Sequence, residues 1–330
     1  MAHATIRDVA REAAVSVASV SRVLNGHENV RPALRQRVES AAAELGYVMH
    51  AGARNLSLAR ANAIGVVLPD LHGEFFSEVL RGMDRAASER GLQLLLSNMH
   101  HDPDRAVEAL RTMRGRVDGM IVMAPHIDPE QLAAQLPRSV PTVLVNCAAH
   151  NEQRAEIRVD NFAGAAAMTR HLIAIGCRRI VHVSGPPDNS EAQERVRGYS
   201  AAITKVLGVE PWVIRGDFHE ASGIAAAEAL LGDIASVDGV FAANDMMALG
   251  VLVTLDRAGI AVPGQIAIGG FDDIPLARMV SPALTTMRVD IAGIGARAVA
   301  RLTDLIAGGG GDTLEISMPE LVPRATSNRG

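Results

Sequence analysis

The sequence predicts an all-α helix-turn-helix head and a short hinge helix, joined to a two-lobed α/β body with parallel sheets. Three observations carry this. Over the first 45 residues, apolar side chains recur at steps of three and four. From Ala63 onward, short apolar runs alternate with amphipathic stretches. The resulting βα units are too many for one compact open sheet, so two similar lobes are expected. The boundaries are placed at 1–46 for the head, 47–62 for the hinge linker and 63–330 for the body.

The head reads as three short helices. Thr5-Ile6-Arg7-Asp8 has the form of a capping box that opens the first helix, followed by Val9, Ala10 and Ala13 at helical spacing. After a break at Ala14-Val15, Ser16 is suited to cap a second helix whose apolar positions are Val17, Val20, Val23 and Leu24. Asn25-Gly26 ends it, since both residues tolerate the left-handed conformation. Pro32 opens the third, where no amide donor is needed, and Val38, Ala41, Ala42 and Leu45 form its buried stripe before Gly46. Residues 47–62 read as a linker with one weak helix, in which Gly52 costs about 1 kcal/mol relative to Ala. Such a helix is not expected to be stable alone.

In the body the apolar runs are Ala63–Leu68, Leu92–Leu96, Gly119–Met123, Thr142–Val145, Ile180–Val183, Trp212–Ile214, Val240–Ala242 and Ile266–Ile268. Helical stretches between them include 75–89, 103–113, 161–175, 221–231 and 246–258. Near-continuous apolar strands of this kind belong to parallel sheets covered on both faces. A (βα)8 barrel is the rival arrangement. No internal repeat stands out, and Gly308–Gly311 reads as a loop, because no Gly-Lys-Ser/Thr follows it.

Composition narrows the function. With 48% hydrophobic residues the chain can bury a large core, and with 3% aromatic that core must be aliphatic. Arginine dominates, Lys205 being the single lysine, which reads as genome composition rather than a need for guanidinium forks. The net charge of −5 hides an asymmetry: eight arginines against five carboxylates give residues 1–62 a net +3, leaving −8 on the rest. A cationic head on an acidic body suits a polyanion-binding module. Cys147 and Cys177 lie far apart in no metal spacing and suit a reducing compartment. The first residues contain no apolar secretory stretch, and no run reaches the ~20 residues of a membrane span, so a cytoplasmic protein is expected.

The most specific motif is the helix–turn–helix at 6–25, carried by the string DVAREAAVSVASVSRVLNG. By itself an amphipathic pair is more often a structural hairpin. This string, however, resembles the head of the lac repressor/galactose repressor family almost residue for residue. The match continues through ELGY at 44–47, the hinge at 50–57, and the body to about 325.

The resemblance implies that Val17, Ala18 and Arg22 form the base-reading face of the second helix. The chemistry is compatible. Arg22 can donate two parallel hydrogen bonds to a guanine edge, worth about 1–3 kcal/mol of discrimination, while Val17 and Ala18 suit a thymine methyl. Thr5, Ser16, Ser19, Ser21 and Asn25 suit phosphates, which position the head without specifying sequence. Ala14 departs from the Gly or Asn common among relatives and implies mild backbone strain. Leu56, matching a leucine that wedges into the minor groove, would kink the operator at a cost of a few kcal/mol. Without the resemblance it reads as a core contact of the hinge. Ala53 would permit close hinge–hinge approach, and Gly52 departs from a usually larger residue.

The body resembles the periplasmic-binding-protein-like (type I) effector domain of the same family, whose ligands bind at the carboxyl ends of the strands. Matching positions are Asp70, Phe75 and Phe76 after the first strand, Asn146 after the fourth, and Gln193 and Arg197 beyond SGPPDNS. Phe218 in GDF, Asn244 in AAND and Asp272 in GGFDD complete the set. Carboxylates, amides and an arginine among aromatic faces suit a neutral, hydroxyl-rich ligand. Each phenylalanine alone reads equally well as ordinary core.

The resemblance therefore implies a dimeric transcription regulator, a repressor of carbohydrate genes, binding a pseudo-palindromic double-stranded operator and controlled by a small-molecule effector, in all expectation a sugar. A dimer rather than a tetramer is expected, since no C-terminal leucine heptads are present. A secreted solute-binding protein would suit the body but not the head. Enzymatic readings lack a constellation: there is no G-x-S-x-G. His100-His101-Asp102 has no second ligand cluster at metal spacing and reads as a solvated loop. Asp272-Asp273 would point to opposite sides of an extended segment. No cofactor and no metal are expected.

Overall fold

The capping box predicted for the first helix forms reciprocally. Asp8 Oδ2 accepts the Thr5 amide at 2.9 Å and the Thr5 hydroxyl at 2.6 Å, starting helix α1 (Ile6–Glu12). These details come from a computed structural model, which describes residues 4–27, 29–47, 60–137, 139–147, 154–310 and 314–329. The hinge candidates Ala53 and Leu56, and Gly52 with them, lie outside the described residues. In helix α2 (Val17–Leu24) the Ser16 hydroxyl accepts the Ser19 amide at 3.1 Å. Pro32 takes the first position of helix α3 (Pro32–Glu44). Val9, Ala13, Val20, Val23 and Val38 form the small core these helices share. Ala14, in the turn between α1 and α2, has φ +50°, the left-handed region that disfavours a Cβ.

The described residues divide into two compact units, one reaching Asn62 and the other comprising Ala63–Arg114 and Gly119 onward. Gly115–Asp118 belongs to the first unit rather than to the expected 63–330 body. The Asp118 carboxylate accepts the Ala61 amide at 2.6 Å, which ties this loop to the residues just before the body.

The body contains two open six-stranded sheets, which excludes the barrel. The first sheet holds β1 (Ala63–Leu68), β2 (Gln93–Asn98), β3 (Gly119–Met123), β4 (Thr142–Val145), β5 (Ala155–Val159) and β11 (Leu314–Ser317), in the order β11-β5-β4-β3-β1-β2, all parallel. The second holds β6 (Ile180–Ser184), β7 (Trp212–Arg215), β8 (Gly239–Ala242), β9 (Ala267–Asp272), β10 (Thr285–Arg288) and β12 (Glu320–Val322), in the order β12-β10-β9-β8-β6-β7. Among the described residues only the β10–β12 pair is antiparallel. Both lobes thus share one strand order, with the order reversing beside β1 and β6. β1, β3, β4, β6, β8 and β9 are buried along their whole length, as near-continuous apolar strands require.

The body helices used below are α4 (Glu74–Ser88), α5 (Pro103–Met113), α6 (Pro129–Gln135), α7 (Asn161–Ala174), α8 (Ser190–Leu207), α9 (Glu220–Leu231), α10 (Asp245–Arg257) and α11 (Ile291–Ile306). The chain passes between lobes three times, at 159–161, 288–291 and 317–320. The first two passages carry the same triplet, Arg-Val-Asp. Asp160 caps α7 through the Ala163 amide at 2.8 Å, and Asp290 caps α11 through the Gly293 amide at 3.1 Å. Each crossover helix packs against the first helix of a lobe at a glycine. A Cβ on Gly82 of α4 would stand 1.9 Å from the Ala292 carbonyl oxygen, and one on Gly198 of α8 would stand 2.2 Å from that of Phe162. Among the described residues no helix is long and apolar enough to cross a membrane. Both cysteines are free; burial pushes the Cys147 thiol up to about 12 and Cys177 up to about 11, so neither is a thiolate at neutral pH.

Candidate functional site

The strand order that reverses beside β1 and β6 leaves a crevice at the carboxyl ends of the strands. A cavity with about 730 Å³ of empty space, open mouth included, lies there between the two sheets. Its walls come from the loops after β1, β2 and β3 on one side, and from those after β6, β7, β8 and β9 on the other.

Six expected ligand residues line it: Asp70, Phe75, Phe76, Phe218, Asn244 and Asp272. The Phe75 and Phe76 rings meet edge to face, 5.4 Å between centroids. Phe218 has φ +72°, unusual for a bulky residue, and Asp272 has φ +111°. Gly185 makes room for the Phe218 ring, since a Cβ there would stand 2.4 Å from it. Asn244 lines the cavity, yet its amide is already committed. Its Nδ2 donates to the Phe218 carbonyl at 2.8 Å, and its Oδ1 accepts the Met247 amide at 3.0 Å, capping α10. It therefore holds the Phe218 loop in place.

Three expected ligand residues lie elsewhere. Arg197 points to the surface, pairs with Glu194, and sits over the Phe162 ring at 5.6 Å. Gln193 is exposed and donates to the Pro187 carbonyl at 2.7 Å. Asn146 is buried and does not line the cavity; its Oδ1 accepts the Val159 amide at 3.1 Å. The arginine error is one of helical register. Two residues along α8 is more than half a turn, so Arg195 faces the cavity and Arg197 faces away.

Arg195 is the cation of the floor. It is 4% exposed, its Nε donates to Asn161 Oδ1 at 2.7 Å, and a second nitrogen donates to the Ala243 carbonyl. Its guanidinium lies over the Phe271 ring at 3.9 Å and 3.5 Å from Asp272 Oδ1. That oxygen is buried and makes no hydrogen bond, the approach of Arg195 being an ion pair only. Burial pushes the Asp272 carboxyl up to about 7 against the pull of Arg195, with Glu191 adding to the rise. Glu191 is raised too, by burial first. For Asp70, burial raises the carboxyl but the Leu71 and His72 amides, with His101 and His219, outweigh it and hold it low.

Histidines are the group that the sequence reading missed. His101 lines the cavity with its Nε2 3.6 Å from Asp70 Oδ2, so this one residue of the expected solvated loop is part of a wall. His72 and His219 meet at the mouth, their rings 4.6 Å apart, with His72 Nε2 3.5 Å from Glu220 Oε2. The partners are 147 and 148 residues apart, a separation that no spacing rule can find.

On the head, Val17, Ala18 and Arg22 are exposed on one face of α2, opposite Val20 and Val23; Val17 keeps 42% of its surface in solvent. Ser21 and Asn25 follow on that face, the Asn25 amide donating to the Ser21 hydroxyl at 3.2 Å. Ser16 and Ser19 pair through their hydroxyls at 2.9 Å, and Thr5 is exposed at the start of α1. An exposed helix N-terminus bearing small hydroxyls, beside an apolar pair and a free-reaching arginine, can enter a major groove.

A helix-turn-helix head and a two-sheet ligand body together define a DNA-binding transcription regulator with a periplasmic-binding-protein-like domain. The family models agree: residues 5–49 match the lacI family of bacterial regulatory proteins, and residues 169–327 match a periplasmic binding protein-like domain. The chain is 35% identical to catabolite control protein A of Priestia megaterium, covering 91% of each chain. It is 36% identical to the ribose operon repressor of Escherichia coli K12, covering 86% of this chain and 87% of that one. Its fold is similar to the Lac repressor dimer bound to operator and the anti-inducer ONPF, with a TM-score of 0.87, 27% identity and 99% of each chain covered. The chain belongs to the lacI family, and it is a regulator rather than an enzyme.

Proposed function

We propose that this chain is a cytoplasmic, homodimeric repressor of carbohydrate uptake or catabolism genes whose operator affinity is set by a sugar in the cleft. The observation that carries the sugar is the buried Asp272 Oδ1 without a hydrogen-bond partner on the cavity wall. An orphaned buried acceptor costs stability until a donor arrives, and sugar hydroxyls are donors. Phe75, Phe76 and Phe218 supply apolar faces for the ring carbons. Asp70, Glu191, Asp217 and Asp272 outnumber Arg195 around the cavity, which disfavours an anionic ligand. The ribose operon repressor and the operator-bound Lac repressor dimer support the same reading by likeness.

On the head, Arg22, Val17 and Ala18 read bases. Thr5, Ser16, Ser19, Ser21 and Asn25 position the helix on phosphates, and Leu56 with Ala53 engages the minor groove at the centre of a pseudo-palindrome. The linker enters the body at β1, the strand whose carboxyl end carries Asp70. Sugar binding that changes the approach of the lobes is thereby linked to the hinge. A 100-fold change in operator affinity needs about 2.7 kcal/mol of coupling.

Calorimetric titration of the full chain with a panel of neutral pentoses, hexoses and disaccharides tests the cleft. One sugar should bind wild type with one site per chain and lose at least tenfold in affinity in Asp272→Ala. If phosphorylated or carboxylated sugars alone bind, the neutral-ligand reading is wrong.

A further inference from the structure

Two imidazoles and one carboxylate meet at the mouth of the cleft, and the sugar reading makes no use of them. His72 comes from the loop after β1, in the first lobe. His219 stands just before α9 and Glu220 is its first residue, in the second. The three candidate donor atoms all lie within 4.8 Å of one another. Metal bonds of about 2.0–2.1 Å in a tetrahedron put neighbouring donors about 3.4 Å apart. The His72–Glu220 distance of 3.5 Å already has that length, and the two edges to His219 are within 4.8 Å.

The second-lobe half of the cluster is built in advance. Asn244 fixes the Phe218 carbonyl, the His219 amide donates to Asp217 Oδ1 at 2.9 Å, and the Ser222 hydroxyl donates to the His219 carbonyl at 2.9 Å. The His72 and Glu220 side chains are about half exposed, which leaves an ion a route in and a coordination position for water or another ligand.

We propose that His72, His219 and Glu220 form a site for a borderline divalent transition ion of the zinc class, joining the two lobes across the mouth of the cleft. Two imidazoles with a carboxylate select Zn²⁺, Ni²⁺, Co²⁺ or Cu²⁺ over Mg²⁺ and Ca²⁺, which take oxygen ligands. Because the ligands come from both lobes, the ion favours whichever lobe spacing brings them together. Ion binding and cleft occupancy are then reciprocally coupled. The site itself does not depend on the identity of the cleft ligand.

The test is calorimetric titration of ZnCl₂ into the full-length protein, stripped beforehand with chelator, beside His72→Gln and Glu220→Gln. MgCl₂ serves as control, and the metal-free melting temperature checks each variant's fold. The expected result is one zinc per chain at micromolar affinity, at least tenfold weaker in both variants, no response to magnesium, and a rise in Tm with zinc confined to wild type. No zinc binding at tens of micromolar, or equal binding by wild type and His72→Gln, overturns the proposal; the latter places the ion on other histidines.

Discussion

Arg195 Nη2 stands 3.5 Å from Asp272 Oδ1, with both side chains 5% exposed. The guanidinium is meanwhile fixed by Asn161 and the Ala243 carbonyl and covered by the Phe271 ring. A cation held at this many points has a fixed position, and so does the carboxylate oxygen that it leaves without a hydrogen bond. The positions of both groups at the cleft wall are therefore set by the protein itself.

Replacing Arg195 tests this directly. Arg195→Ala leaves the buried Asp272, and the partly buried Glu191 beside it, without their cation and should cost about 3–5 kcal/mol of stability. Arg197→Ala removes an exposed ion pair and should change stability by less than about 0.5 kcal/mol. Urea unfolding of the two variants measures both. Equal costs would mean that the register assigned to α8 is wrong.

The raised Asp272 carboxyl gives stability a pH slope of definite sign. Its folded value of about 7 lies above the ordinary 3.8. Between those values the folded chain holds a proton that the unfolded chain has released, so this group's contribution falls as pH rises from about 4 to about 7. Asp245, raised well above its ordinary value by burial and then by Asp272, adds to the same slope. Asp272→Asn should flatten the dependence of urea midpoint on pH in that window. An unchanged slope would remove Asp272 as its source.

Helix packing at Gly82 and Gly198 predicts a contrast among glycines. Gly82→Ala and Gly198→Ala each drive a Cβ into a backbone carbonyl and should destabilise by about 1–3 kcal/mol or more. Gly232→Ala, at φ −67° with open space around it, should stabilise by about 0.5–1 kcal/mol. Thermal melts of the three variants distinguish close approach from a general aversion to alanine.

Ala14 offers a test confined to the head. At φ +50° its Cβ is strained, so Ala14→Gly should gain about 0.5–1 kcal/mol. Hydrogen exchange of the Val9, Val20 and Val23 amides in the full chain should slow accordingly. Faster exchange would mean that the turn prefers another conformation.

Much of this architecture was legible because its signals are local. The capping box, the Ser16 cap and Pro32 fix the head helices within a few residues, and apolar runs such as Ala63–Leu68 and Gly119–Met123 mark fully buried strands. The strands missed were β5 (AEIRV), β10 (TTMR), β11 (LEIS) and β12 (ELV). Each carries charged or hydroxylic residues that burial alone does not announce. Glu156 of β5 is fully buried, its carboxylate 2.7 Å from Arg158 Nε, a pairing visible only after folding. β11 and β12 are edge strands and read like loops. In the cleft, the family resemblance placed Asp70, Phe218 and Asp272, whereas Arg195 was lost to Arg197 because a helix face requires a register that matching positions do not supply. The histidine cluster spans both lobes, and only the fold brings His72 to His219.

Base reading by α2 through Arg22 is tested by capturing genomic fragments with the full-length protein at physiological salt, beside Arg22→Ala, and sequencing what is retained. Wild type should enrich one pseudo-palindrome near carbohydrate genes, and Arg22→Ala should retain DNA without that preference. No enriched sequence with wild type, alone or with added sugars, or the same sequence enriched by both proteins, would contradict it.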